Sequence, residues 1–282
     1  GDHRHLLLSL LRQLHMCIRD SESADCTSIF QEGLRLPPVR LMDDKGIKQD
    51  IVDFILLNSR TPHHRDGDIK AQLASNLLGV RRIQELFNKF GIDKTQAGIE
   101  GMLDYAEART REEINNLPDG VYENEDFIDH DGVEQRNASL KVAVTIDGNN
   151  ILFDFSGSEA QVAGARNMVL CATLAGGYHA VKVICDPSLP PNAGYFRAID
   201  VIAPPGSITN AVSPAAVGDR GATVNILGDV LLGALTKAAP ERGIAGCGSR
   251  QGIVFSGLDP RSGEYFVDYE VYAGAAGALF DR

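Results

Sequence analysis

A turn signal, Pro118-Asp119-Gly120, divides the 282-residue sequence into two parts with different hydrophobic periods. Before it, apolar residues recur at every third or fourth position over residues 69–114, which is the period of an amphipathic helix. After it, short runs alternate apolar and polar residues, which is the period of a strand with one buried face. Because the helices come first and the strands follow as a separate block, the order predicts an α+β fold.

The helical part is predicted to contain a short helix over residues 48–58 and then two long helices joined by a glycine turn. Asp68 is typical of a helix N-cap, Gly91 is expected to end the first long helix, and Asp93 to cap the second. Inner faces are expected at Ile69, Leu73, Leu77, Val80, Ile83 and Phe87, and at Ile99, Leu103, Ala106 and Ile114. The pair would form a long antiparallel helical hairpin.

The second part begins as an antiparallel β meander. Residues 121–128, 140–146 and 151–155 are predicted strands, with a hairpin turn at 147–150. Mixed α/β elements follow, with buried helices at 168–183 and 224–239 and two last strands at 252–256 and 264–272. The sequence has no GxGxxG motif, no phosphate-binding loop motif and no βαβ repeat.

A stretch rich in Pro, Gly and Asn, from Cys185 to Gly221, connects these mixed elements. Long loops in compact domains are uncommon and are usually either functional or disordered. This one has apolar residues spaced for burial, which argues against disorder. We therefore expect an ordered loop system that carries a site.

Charge and cysteine usage limit the function. The formal net charge is −11, which argues against nucleic-acid binding, and no polybasic membrane patch or membrane-spanning run occurs. The five cysteines have no paired short spacing of the zinc or redox kind. An odd count without a framework suits a cytoplasmic protein.

Residues 1–24 differ in character from the rest, being rich in Leu, His and Arg. They are interpreted either as a short helix or as a junction foreign to the gene. The domain proper is therefore predicted to span residues 25–282, with both of its ends cut short.

Several polar groups are candidates for chemistry, each with a structural alternative. His63, His64, Asp66 and Asp68 have side chains that suit Zn or Mn, although a solvated loop capped by Asp68 is the favoured interpretation. Asp154, at the end of a strand, is either an acid, base or metal ligand or the partner of its own turn.

Three further groups lie in or beyond the loop system. Asn192, Gly194 and Arg197 form a polar cluster in which Arg197 either binds a carboxylate or phosphoryl group or makes an internal ion pair. Asp219 and Arg220 allow the same alternatives, with a local pair slightly favoured. Cys247, between glycines, is favoured as structural because no base lies near it in sequence.

The segments Phe30-Gln31-Glu32-Gly33, Asn58-Ser59-Arg60-Thr61-Pro62 and Gly67-Asp68-Ile69-Lys70-Ala71-Gln72 with Asn76 resemble the hydantoinase B/oxoprolinase family. Further matching segments are Asp154-Phe155-Ser156-Gly157, Asn192-Ala193-Gly194-Tyr195-Phe196-Arg197, Pro204-Pro205-Gly206-Ser207 and Tyr269-Glu270. Each segment is weak alone, but together they follow the family's order from about Ile29 to Gly277.

The resemblance implies a B-type subunit of an ATP-dependent cyclic amidohydrolase, acting on hydantoins, 5-oxoproline or lactams. ATP and Mg would come through a hydantoinase A-type subunit or fused domain, in a hetero-oligomer. A divalent metal, Zn or Mn, is expected in the complete protein. The family's His-His-x-Asp-type metal stretch lies upstream of Phe30 and has no match in residues 1–24, so its ligands are not transferred to His63, His64 or Asp66.

On this basis Asp68, Asp154 and Arg197 are the expected catalytic residues, and Gln72, Asn76, Asn192 and Gly194 the expected substrate-binding residues. Two alternatives stay open. The first is a subunit of an ATP-dependent ketone carboxylase, and the second is a non-catalytic scaffold that docks the ATPase partner.

Overall fold

The computed structural model describes residues 25–246, 251–272, 274 and 277–278. The atypical segment 1–24 and Cys247 lie outside the described residues. The helices are α1 (Gln49–Leu57), α2 (Pro62–Phe90), α3 (Ile92–Asn115), α4 (Leu170–Ile184), α5 (Ala193–Phe196) and α6 (Arg220–Ala238). The strands are β1 (Met42–Asp43), β2 (Gly46–Ile47), β3 (Gly120–Ile128), β4 (Ala138–Asp147), β5 (Asn150–Asp154), β6 (Ile199–Ile202), β7 (Gln251–Leu258) and β8 (Tyr265–Tyr272). This is the expected α+β class.

The central sheet has the order β3-β4-β5-β6. The meander β3 to β5 is antiparallel, as the alternation predicts, and every second residue of β4 is buried. The last strand was not predicted. β6 pairs with β5 in parallel, with Asp154 opposite Ile202. The chain reaches it through α4, so one βαβ crossover is present, and the short run at residues 198–203 lies in the sheet instead of in a loop.

The main core lies between the sheet and helices α4 and α6. α6 packs across β3 and β4 and also against α4, and its side chains Leu227, Val230, Leu231 and Leu235 are buried. α3 joins the same core through Ala106 and Ile114, both fully buried. A second, smaller core contains Leu41, Val52, Ile55, Ile69 and Leu73, and it anchors the first turns of α2 on α1.

The predicted starts of the two long helices are wrong. α2 begins at Pro62, because proline is preorganised for the first helical turn and its missing N–H costs nothing there. Asp68 therefore lies inside the helix and caps nothing. Gly91, with φ of 83°, ends α2 and is also the N-cap of α3, which leaves Asp93 within the first turn.

The predicted inner faces of the two long helices are only partly buried. Ile69 and Leu73 are buried, whereas Leu77, Val80 and Ile83 are 53, 47 and 41 % exposed. On α3, Ala106 and Ile114 are buried and Ile99 is 39 % exposed. The helices meet at Gly91, where the Thr95 hydroxyl donates to the Gly91 carbonyl at 2.7 Å. Away from this joint, many apolar side chains of the two helices stay partly exposed.

Candidate functional site

Asp68, Gln72 and Asn76 lie at intervals of four along α2, so they share one side of the helix. Asp68 is exposed and its Oδ2 lies 2.5 Å from Arg65 Nη1. Asn76 Nδ2 donates to the Gln72 carbonyl at 2.8 Å, and both residues are half-buried. The three residues therefore form a continuous polar strip. The catalytic role of Asp68 and the substrate-binding roles of Gln72 and Asn76 stay predictions.

Asp154 is the last residue of β5 and lies between β4 and β6. Its Oδ1 accepts a hydrogen bond from the Ser156 N–H at 2.8 Å. The side chain thus fastens the turn that follows the strand, which is one of the two alternatives left open by the sequence. A catalytic role for this carboxylate stays a prediction.

Asn192 and Gly194 lie against the backbone of α3. Asn192 Oδ1 accepts from the N–H groups of Gly194 and Tyr195 at 2.9 and 3.2 Å and so caps the short helix α5. A Cβ at Gly194 would lie 1.9 Å from the carbonyl oxygen of Leu103. Glycine is needed here because α5 and α3 touch backbone to backbone.

Arg197 also faces α3. Its Nη1 lies 3.0 Å from Asp104 Oδ1 and 3.1 Å from Glu107 Oε2, and the Arg197 carbonyl accepts from Arg111 Nη2 at 3.1 Å. The pKa of Glu107 is held below its usual value mainly by the hydrogen bond from Arg111, and next by the hydrogen bond from Arg197. The guanidinium is thus engaged in internal ion pairs, the structural alternative in the sequence analysis.

The predicted residues therefore belong to three places: the polar strip of α2, the end of β5, and the contact between α5 and α3. What the loop system does bring together is a set of charged residues from distant parts of the sequence. We call Glu32, Arg166, Asp219 and Arg220 the loop charge cluster.

Glu32 is its most buried member, at 7 % exposure. Its Oε1 accepts from the N–H groups of Val217 and Gly218, both at 2.6 Å. Burial raises the pKa of Glu32, and these two hydrogen bonds and the charge of Arg220 act against that rise. The carboxyl thereby joins the N-terminal segment to the loop that leads into α6.

Arg166 and Asp219 complete the cluster. Arg166 Nε lies 3.0 Å from Asp219 Oδ2, so the salt bridge of Asp219 is made with Arg166, and the local pair with Arg220 favoured from sequence is wrong. Arg220 Nη1 donates to the Val217 carbonyl at 3.2 Å. The sequence singled out Asp219 and Arg220, whereas Glu32 was treated only as part of a family match and Arg166 was not noticed.

A cavity of about 420 Å³ lies beside α6, within the range of small-molecule sites. Its lining includes Asp229, Leu232, Thr236, Pro240, Ile244 and Ala245. The composition is mostly apolar with two polar side chains, both from α6. Neither Asp229 nor Thr236 was singled out from the sequence, because both lie within a run that was recognised only as a buried helix.

Asp229 is exposed by surface area, yet the surrounding protein partly desolvates its carboxyl. This desolvation, followed by the negative charge of Asp126, raises the pKa of Asp229. No hydrogen bond from a described residue acts against the rise. Asp229 is therefore protonated more readily than an ordinary aspartate.

The other wall of the cavity is a glycine-rich backbone segment. A Cβ at Gly246 would lie 3.1 Å from Asp229 Oδ1, and a Cβ at Gly243 would lie 2.4 Å from Thr236 Cγ2. The Thr236 hydroxyl is buried and has no hydrogen-bond partner among the described residues. Because almost none of that oxygen is exposed, the polar group that the cavity offers a ligand is the Asp229 carboxyl.

The described residues contain no group of three or more His, Cys, Asp or Glu side chains that could hold a metal ion. The divalent metal expected from the sequence is therefore assigned to none of them. Burial, followed by the charge of Glu113, raises the pKa of Cys185 to about 12, which is unsuited to a nucleophilic thiol. Within the described part of the chain, no helix is long and apolar enough to cross a membrane.

The fold is similar to that of a solved enzyme structure. The crystal structure of an ATP-dependent caprolactamase from Pseudomonas jessenii superimposes with a TM-score of 0.78 at 30 % identity, covering 88 % of this chain and 43 % of that one. Residues 19–281 match the hydantoinase B/oxoprolinase family. The chain belongs to this family.

Two proteins named as enzyme subunits are also similar to this chain. The caprolactamase subunit beta of Pseudomonas jessenii is 31 % identical over 242 residues, which are 84 % of this chain and 41 % of that protein. The acetophenone carboxylase delta subunit of Aromatoleum aromaticum is 30 % identical over 176 residues, which are 62 % of this chain and 26 % of that protein. The chain thus spans less than half the length of either relative.

Proposed function

We propose that this chain is part of the B-type subunit of an ATP-dependent cyclic amidohydrolase that opens hydantoin, 5-oxoproline or lactam rings. The observation that carries the proposal is the caprolactamase structure, which is similar over most of the chain at 30 % identity. At 30 % identity the similarity supports more than a shared fold.

A hydantoinase A-type subunit or fused domain would bind ATP with Mg and form a hetero-oligomer with this chain in the cytoplasm. Two relatives are named as subunits, which supports such a partner. The sequence has no phosphate-binding loop motif, which agrees with ATP being bound elsewhere. ATP would supply the phosphoryl group that activates the ring amide at its oxygen.

In this proposal the cavity beside α6 holds the ring. Asp229 faces the ring N–H, and the apolar wall around Leu232 and Ile244 takes the methylene carbons.

Asp229 can move the proton that this chemistry requires. As the amide oxygen takes the phosphoryl group, the carboxylate accepts the N–H proton. When water has added to the activated carbon and the ring C–N bond breaks, the carboxyl returns a proton to the leaving nitrogen. A second water then releases phosphate, so that amide, ATP and two waters give the ring-opened amino acid, ADP and phosphate. The raised pKa of Asp229 suits a group that is protonated in mid-reaction.

The residues predicted from sequence remain secondary candidates. Asp68, Gln72 and Asn76 share one side of α2, which supports the catalytic role predicted for Asp68 beside the substrate binding predicted for Gln72 and Asn76. Asp154, Asn192, Gly194 and Arg197 already make internal contacts, so we assign them to positioning.

A ketone carboxylase subunit is a second candidate, favoured by the similarity to the acetophenone carboxylase delta subunit. The two functions are distinguished by the substrate that drives ATP use. ATP use with a cyclic amide requires only water as the second substrate, whereas ATP use with a ketone requires bicarbonate.

The test uses the complete protein with its ATPase partner. ADP release is measured with hydantoin, 5-oxoproline or ε-caprolactam, and separately with acetophenone plus bicarbonate. We expect ADP and the ring-opened product in equal amounts with one of the cyclic amides. Release only with ketone and bicarbonate would establish the carboxylase, and release with none of them would favour the scaffold.

A further inference from the structure

The cavity beside α6 has a negative charge in an otherwise uncharged lining. Among the described residues that line it, Asp229 alone is charged. The opposite wall comes close to this carboxyl, since a Cβ at Gly246 would lie 3.1 Å from Asp229 Oδ1. The negative charge of Asp126, on β3, also acts on the Asp229 carboxyl. A ligand in the cavity is therefore surrounded by apolar groups and exposed to negative charge.

The segment that lines most of the cavity contains two basic residues, Lys237 and Arg242, and both bind elsewhere. Lys237 Nζ donates to the Glu123 carbonyl of β3. Arg242 Nη1 donates to the Ile184 carbonyl at 3.2 Å and lies 3.8 Å from Glu113 Oε2. Neither side chain is part of the cavity lining. These two cations therefore hold α6 and the segment after it on the rest of the fold, and the charge of Asp229 is not balanced by them.

The rings named in the proposed function differ in charge. 5-Oxoproline carries a carboxylate on its ring at neutral pH, whereas hydantoin and simple lactams are neutral. A ring carboxylate would share a small cavity with the Asp229 carboxylate, and like charges this close repel one another strongly near a protein surface. Its own desolvation would also be costly without a cation to pair it. A neutral ring meets neither cost.

The phosphoryl group that the reaction adds does not meet the same repulsion. In the proposed reaction Asp229 accepts the N–H proton as the amide oxygen takes the phosphoryl group, so the carboxyl is neutral when the new negative charge is present. A ring carboxylate, in contrast, is charged from the moment of binding, when Asp229 is still the carboxylate. The electrostatic cost therefore falls on the choice of substrate and not on the activated amide.

From these observations we propose that the cavity beside α6 selects neutral cyclic amides, hydantoins and lactams, and rejects rings that carry a carboxylate, with Asp229 as the residue that determines this specificity. The inference rests on the proposed function, because it takes this cavity as the place where the ring binds. Asp229 then has two tasks. It moves the proton of the ring amide, and its charge excludes anionic rings.

The test compares 2-pyrrolidinone with 5-oxoproline, two lactams of the same ring size that differ only in the carboxylate. ATP-coupled ring opening is measured with the complete protein and its ATPase partner. We expect kcat/KM to be at least about tenfold higher for 2-pyrrolidinone, with most of the difference in KM. If another cyclic amide is the better substrate, both lactams are compared as competitive inhibitors of it, and the same ratio is expected between their inhibition constants.

A variant pair tests whether charge is the cause. Ala245 is exposed and lines the cavity, so Ala245→Lys adds a positive charge there. Ala245→Gln is the matched control, because it adds a polar side chain without a charge. The preference for 2-pyrrolidinone over 5-oxoproline should be at least about threefold smaller in Ala245→Lys than in Ala245→Gln. The urea-unfolding midpoint of each variant checks that it is folded.

A wild-type protein that handles 5-oxoproline as well as 2-pyrrolidinone, or better, would overturn the charge selection. The proposed function would stand in that case, since ring opening would still be coupled to ATP. An equal preference in folded Ala245→Lys and Ala245→Gln would also overturn it. If no cyclic amide drives ADP release, the proposed function fails and this inference fails with it. The wild-type comparison needs no variant, so a misfolded variant does not prevent the decision.

Discussion

Arg197 Nη1 lies 3.0 Å from Asp104 Oδ1, so an arginine of the loop system is paired with a carboxylate of α3. The relationship changes the interpretation of the Asn192–Arg197 segment, which the sequence marked as a binding loop. The segment is held on α3 by Asn192, by Gly194 and by this ion pair. Loss of the Arg197–Asp104 ion pair is therefore expected to destabilise the loop, with any effect on the reaction following from that.

Replacing Arg197 by alanine should lower the urea-unfolding midpoint slightly, because partly exposed ion pairs contribute little. The effect should shrink as the pH falls through the folded pKa of Glu107. That pKa is depressed by Arg111 and Arg197, so its contribution is present above the ordinary carboxyl range and is lost in acid. If the Arg197→Ala variant lost turnover while its unfolding midpoint stayed unchanged, Arg197 would instead be assigned to substrate binding.

Gly194→Ala should destabilise the chain by roughly 2–3 kcal/mol, since the new Cβ overpacks against a backbone carbonyl that has no room to move. Gly67→Ala is the matched control. Gly67 lies inside α2 with open space around it, and alanine there should add about 0.5–1 kcal/mol. Both are measured by urea denaturation, and equal effects at the two sites would contradict the α5–α3 contact.

Glu32→Ala should cost about 1–3 kcal/mol, because the N–H groups of Val217 and Gly218 lose their acceptor. Glu32→Gln keeps an acceptor oxygen and should be far milder at pH 7. The pH dependence has a definite sign. Since burial raises the pKa of Glu32, its stabilising contribution is full below the unfolded value of 4.5 and is lost as the pH rises through the folded pKa.

The check is unfolding free energy from pH 4 to 8 in wild type and Glu32→Gln. Wild type should lose stability relative to the variant as the pH rises. A difference that moves in the other direction would show that the carboxylate is the favoured form in the folded chain.

Cys185 should react slowly with thiol reagents in the folded protein. With a pKa of about 12, its thiolate fraction at pH 8 is on the order of one part in ten thousand. Cys171 is exposed and should be alkylated first. Site-resolved mass spectrometry of iodoacetamide labelling decides this, and equal rates at both cysteines would contradict the buried environment of Cys185.

The sequence predicted the elements whose signals are local. The alternation in β4, the hairpin turn at residues 147–150 and the end of α2 at Gly91 all follow from side-chain period and backbone preference, and all are present. β6 was missed because its four residues are too few to show a period, and because its parallel pairing with β5 is set by the α4 crossover. The start of α2 was missed because Pro62 was treated as part of a loop, although proline favours the first helical turn.

The charged parts of the candidate site were harder to predict because ion-pair partners are chosen by tertiary contact. Arg166 and Asp219 are 53 residues apart, and Glu32 binds N–H groups 185 and 186 residues away. No local pattern encodes such pairs. Asp229 and Thr236 were hidden for a related reason, since a polar residue in a buried helix shows its role only when the opposite wall of the cavity is known.

The measurement that tests the account most directly is ATP-coupled ring opening by the complete protein and its ATPase partner, in wild type and Asp229→Asn. We predict a fall in kcat of at least a hundredfold at an unchanged unfolding midpoint, while Asp200→Asn, at an exposed position of β6, keeps wild-type turnover. If Asp229→Asn opens the ring at the wild-type rate, the cavity beside α6 is not where the amide is handled, and the polar strip of Asp68, Gln72 and Asn76 becomes the leading site.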